Sequence, residues 1–71
     1  MKFKFTNHAQ YRIDERGISI EDIKSVINAP DYARNTFDGR TEAGKKFFKK
    51  TLEVVYKKDG SATIIITVYY L

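Results

Sequence analysis

The sequence predicts a small α+β domain, and three observations predict it. Two short stretches between residues 8 and 28 carry helix caps and, in the second, a helical apolar stripe. The segment from Ala62 to Tyr70 is rich in β-branched and aromatic residues and follows an Asp59-Gly60 turn signal. Lys2 to Thr6 alternates polar and aromatic side chains, as a half-buried strand does. Helices first and strands afterwards give an arrangement of one strand, two short helices and a mainly antiparallel sheet of three to four strands.

Taken in order, Lys2 to Thr6 is a strand with Phe3 and Phe5 facing inward. Thr6 or Asn7 caps a helix from about His8 to Arg16, which Gly17 ends. Ser19 with Asp22 three residues on forms a capping-box pattern for a second helix, Ile20 to about Asn28. Ile20, Ile23, Val26 and Ile27 fall on one stripe of it, and Pro30 marks its end. Tyr32 to Thr36 is a second strand, and Asp38-Gly39 is a turn. Thr41 to Gly44 reads as strand or loop. Lys45 to Lys57 reads as one long strand, with a bulge near Lys49 to Thr51 or an edge position excusing its broken alternation.

Loop parity in the last hairpin decides which side chains share a face. An odd loop places Leu52, Val54 and Tyr56 with Ile64, Ile66, Val68 and Tyr70, the more apolar choice. It implies a three-residue loop, Lys58-Asp59-Gly60, with Gly60 left-handed. The other face then holds Thr51, Glu53, Val55, Ile65, Thr67 and Tyr69. Two helices cannot cover both faces, so this one is a binding surface, an oligomer contact or a solvated face.

Composition narrows the chemistry. Seventy-one residues support a single domain, 1–71, with one core. There is no cysteine and one histidine, His8, which excludes disulfides, thiolate zinc sites and multi-histidine metal sites. Carboxylates do not cluster as a Mg²⁺ site requires, no Gly-rich phosphate loop is present, and no nucleophilic triad can be assembled. The expectation is a protein without metal or cofactor. No apolar run approaches the roughly 20 residues of a membrane span, and the N-terminal segment lacks a signal-peptide core. A cytoplasmic protein fits. The net charge of +4 favours polyanions, RNA among them, although a charge of this size also serves solubility.

Two basic constellations stand out. His8, Arg12 and Arg16 recur every fourth residue along the first helix, beside the core-facing Ala9 and Ile13. That spacing predicts a cationic row at the border of helix and sheet. Surface pairing with Asp14 or Glu15, for example Arg12 with Glu15, is the plainer account. Lys45-Lys46-Phe47-Phe48-Lys49-Lys50 interleaves cations with aromatics, which suits phosphate contact and base stacking, or protection of a sheet edge. Metal-free RNA cleavage demands little of a protein: position, cationic stabilisation of the pentavalent phosphate, and a proton donor or acceptor.

The run Phe5-Thr6-Asn7-His8-Ala9-x-x-Arg12-x-x-x-Arg16-Gly17-Ile18-Ser19, followed by Asp22-Ile23 and the closing Ile66-Thr67-Val68-Tyr69, resembles a family of short bacterial and phage proteins. That family is grouped with BrnT-like and RelE-like toxins in the barnase, colicin and RelE class of metal-independent nucleases. The resemblance is closest from His8 to Ser19 and loose from Tyr32 to Thr51. It implies a β-α-α-β-β-β fold, RNase activity, RNA (free or on the ribosome) as target, and a cognate antitoxin over a basic surface. Carried onto this chain, it implies catalytic roles for His8, Arg12, Arg16 and Tyr69, with Arg40 and Lys46 as weaker candidates. Lys45, Lys46, Lys49, Lys50 and Arg40 form the expected RNA-binding set. Two alternatives stand beside the nuclease: a non-catalytic module binding RNA or protein, and a homodimer formed through the uncovered sheet face.

Overall fold

The computed structural model describes residues 2–36 and 38–71. Its elements are β1 (Lys2–Phe5), α1 (Asn7–Arg16), α2 (Ile20–Asn28), β2 (Tyr32–Asn35), β3 (Thr41–Phe47), β4 (Lys50–Asp59) and β5 (Ala62–Tyr70). They form an α+β fold with one mixed sheet of order β1-β5-β4-β3-β2. Among the described residues only the β1–β5 pair is parallel.

Both helices begin and end where local chemistry dictates. The Thr6 hydroxyl accepts from the Ala9 amide, and the same hydroxyl donates to the Ile66 carbonyl on β5. One residue therefore caps α1 and ties its start to the sheet. Gly17, at φ 62°, ends α1 in the left-handed conformation. The Ser19 hydroxyl accepts from the amides of Glu21 and Asp22 to start α2. Ala9, Ile13, Ile18, Ile23 and Val26 bury against Ala43, Leu52, Val54, Ile65 and Val68. Phe3, Phe5, Ile20, Ile27, Phe47, Tyr56 and Tyr70 close the edges of this core. All of these helix-side residues lie on one face, and among the described residues no helix covers the other face of the sheet.

The second half of the chain departs from its expected layout in two places. First, the sheet has five strands. Lys45 to Lys57 is not one strand but two, joined by a turn at Phe48-Lys49, with Phe47 opposite Lys50. The ambiguous Thr41 to Gly44 is the start of β3. The broken alternation around Lys45 to Lys50 thus marks a chain reversal rather than a bulge. Phe-Phe-Lys-Lys lacks the Asn or Gly that announces a tight turn, so nothing in its composition signals one.

Second, the last hairpin has a two-residue turn, Gly60-Ser61, because Asp59 pairs with Ala62. Gly60 is left-handed, as expected, at φ 63°. The even loop sets Tyr56 opposite Ile65 near the turn. A register shift at Val55/Tyr56 then restores Leu52 opposite Tyr70 and Val54 opposite Val68. Both parities therefore occur in one hairpin, joined at a bulge that leaves Ile66 without a partner on β4. As a result Ile65 enters the core, and Ile64, paired with Lys57, takes the open face instead.

Candidate nucleic-acid interface

The β3–β4 turn gathers four of the expected RNA-binding residues onto one hairpin. Phe48 sits at its tip with φ 56°, a left-handed backbone that a bulky side chain rarely adopts. Its side chain is 99% exposed. Phe47 points the other way and packs on the core. Phe47, Phe48, Lys49 and Lys50 form an open groove of about 500 Å³ with Tyr70 of β5 and Asp22 in the first turn of α2. The Lys50 ammonium lies 5.2 Å from the centre of the Tyr70 ring, a cation–π contact that holds it at the groove wall.

The remaining lysines of this segment divide by face. Lys45 is half-buried and donates from Nζ to the Ser25 hydroxyl on α2, 3.1 Å away, so it braces the helix. Lys46 projects from the open side, and its backbone amide donates to the Asp31 carboxylate at 2.9 Å. Gly44 likewise receives the Asp31 amide at its carbonyl. Asp31 therefore closes the stretch of β3 that extends past β2, and lysines are not required there to protect an open edge. Arg40 lies at the opposite end of β3, about 20 Å from Lys46 at strand rise, and pairs with Asp38 at 3.3 Å. It does not join the hairpin set.

The four catalytic candidates do not meet. His8, Arg12 and Arg16 do share α1, but His8 and Arg16 are exposed and only Arg12 is half-buried. The row faces solvent more than the border expected of it. Its acidic neighbours take partners other than Arg12: Gln10 donates to Asp14, Tyr11 donates to Glu15, and Arg16 lies 3.7 Å from Glu15. Tyr69 points out from the other face of the sheet, where its hydroxyl donates to Glu53. The body of the sheet separates it from the α1 row.

On that open face lies a cluster the sequence reading missed. Glu53 is 4% exposed on the central strand β4. Its carboxylate accepts hydrogen bonds from the hydroxyls of Tyr69 and of Tyr32, the latter at 2.5 Å. Arg34 bonds Glu42 at 2.8 Å and reaches to 3.8 Å from Glu53. Burial pushes the Glu53 carboxyl up, but the two hydroxyls and Arg34 more than offset this and hold it below its ordinary value. The hydrogen bond to Glu53, reinforced by burial, pushes Tyr69 up to about 12. Gly44 makes the arrangement possible, since Tyr32 lies across β3 at that point and a Cβ on Gly44 would overlap its ring. A glycine inside a strand and a lone glutamate between Leu52 and Val54 were the available signals. With both oxygens engaged, Glu53 is an anchor of the sheet.

Among the described residues no group of three His, Cys, Asp or Glu side chains could hold a metal ion, and no helix is long and apolar enough to cross a membrane.

Fold and surface together define a small α+β domain with helices on one sheet face and a basic, aromatic hairpin tip. Residues 5–70 match the family model described as "Domain of unknown function (DUF4258)", and the chain belongs to that family. No curated protein and no solved structure matches it.

Proposed function

We propose that this chain is a toxin-like RNA-binding protein of the BrnT and RelE kind that engages single strands of RNA through its β3–β4 hairpin, in the cytoplasm. The observation that carries this reading is Phe48. An aromatic ring held fully in solvent, on strained backbone, serves neither packing nor turn formation. Beside it stand Lys49 and Lys50, neither with a carboxylate within 4.0 Å among the described residues. Cations for phosphates and a ring for a base are the elements of single-strand recognition. The separation of Tyr69 from the α1 row favours binding without turnover over cleavage. The open sheet face offers the surface for a protein partner such as a cognate antitoxin.

Fluorescence anisotropy with a labelled single-stranded RNA tests the proposal. Binding is expected to fall about tenfold or more in Phe48→Ala, in line with the stacking energy of one base. The same RNA should stay intact in EDTA. Absence of binding at low salt defeats the reading. Cleavage in EDTA that disappears in Arg16→Ala replaces it with the nuclease.

A further inference from the structure

We infer that the groove beneath the hairpin tip takes an unpaired guanine, stacked on Phe48 and read by the Asp22 carboxylate. This rests on the RNA reading of the hairpin and narrows it to one base. The groove has three aromatic residues, two lysines and a single acid. Its volume of about 500 Å³ falls within the roughly 300–1,000 Å³ of small-ligand sites.

Asp22 is the informative residue. It is half-buried, and its carboxylate has no hydrogen-bond or ion-pair partner among the described residues, although Lys49 and Lys50 line the same groove. Its place in the first turn of α2 suits the helix dipole. That placement does not account for an acid in a groove otherwise built for an anion. A carboxylate repels phosphate and can only accept, so it selects a base edge that donates. Guanine alone presents two adjacent donors on its pairing edge, N1–H and the N2 amino group, which match the two carboxylate oxygens. Adenine and cytosine place a ring-nitrogen acceptor beside their amino group. Uracil sets its one N–H between two carbonyls. Lysines at the rim then neutralise the flanking phosphates. In a duplex the same edge is occupied, so the site requires a single strand.

The test is anisotropy with a labelled oligouridine and with the same strand carrying one central G, A or C. The strand with G is expected to bind roughly tenfold tighter than the other three, the discrimination of one bidentate pair. Annealing that strand to its complement should remove the preference. Asp22→Asn should remove it too, and because the variant no longer repels phosphate its affinity for oligouridine should stay equal or rise. Phe48→Ala is the second variant; its side chain supports no core, so loss of the guanine preference there cannot come from unfolding. Equal affinity for all four strands, with salt-sensitive binding retained, overturns the guanine site and leaves the RNA reading standing. No binding to any strand overturns the RNA reading itself.

Discussion

Glu53 is the residue on which the open face depends. A carboxylate this deep needs hydrogen bonds to remain charged, and Tyr32 and Tyr69 supply them. Tyr69→Phe removes one donor and is expected to cost about 1–2 kcal/mol in urea denaturation. A cost under about 0.5 kcal/mol, the usual scatter of surface changes, counts against the cluster as an anchor. The pH dependence has two limbs. Tyr69 in the folded chain titrates at about 12, above the value near 10 of an unfolded tyrosine. Folding thus favours the protonated hydroxyl, and this stabilisation is complete below pH ~10 and lost as pH rises through about 12. Glu53 is shifted down, so its contribution is complete above roughly pH 5 and is lost as acid protonates it in the fold. The phenolate absorbance that vanishes in Tyr69→Phe should therefore have its midpoint near about 12, and Glu53→Gln should flatten the acid limb of the stability curve.

At the scale of elements, the two central hairpins show what sequence periodicity can and cannot reach. The helices were legible because caps and apolar stripes are local signals: Thr6, Gly17 and Ser19 act where their types predict. The β4–β5 faces were only half legible, because a bulge at Val55/Tyr56 changes parity within the hairpin and leaves no compositional mark. The Phe48-Lys49 reversal was invisible because its residues contradict turn preference. That contradiction makes a prediction. Left-handed backbone costs a bulky residue about 1–2 kcal/mol. Glycine relieves this but loses about 0.5–1 kcal/mol through the greater freedom of its unfolded chain. Phe48 buries nothing, so Phe48→Gly should raise stability by about 0.5–1 kcal/mol on balance while weakening RNA binding. A variant that is both more stable and equally competent in binding would remove Phe48 from the interface. Gly44 provides the complementary case within β3. Gly44→Ala drives the Tyr32 ring off its path to Glu53. Its destabilisation should exceed that of Tyr32→Phe, which keeps the ring, and nearly vanish in a Tyr32→Ala background, as a thermal-melt double-mutant cycle can show.

Across the whole molecule, charge was the most legible functional property and its placement the least. The chain carries thirteen Lys and Arg against nine Asp and Glu. Among the described residues only Arg16, Arg34 and Arg40 have carboxylate partners. Ion pairing therefore leaves most of the positive charge free, and topology decides where it concentrates. His8, Arg12 and Arg16 looked convergent because they are neighbours on one helix. Lys49 and Lys50 meet at one groove because a turn folds two strands back on each other, with Lys46 on the other face of the hairpin. These alternatives differ in a measurable slope. If RNA lies in the groove at the hairpin tip, Lys49 and Lys50 displace about two counterions, and log K should fall with log salt at a slope near −1.4 for a single strand. Replacing either of them by alanine should reduce the slope by roughly 0.7. Arg12→Ala and Arg16→Ala should leave it unchanged. The reverse pattern, a slope carried by the α1 arginines and indifferent to the hairpin lysines, would move the RNA to the helix side and restore the row as its binding surface.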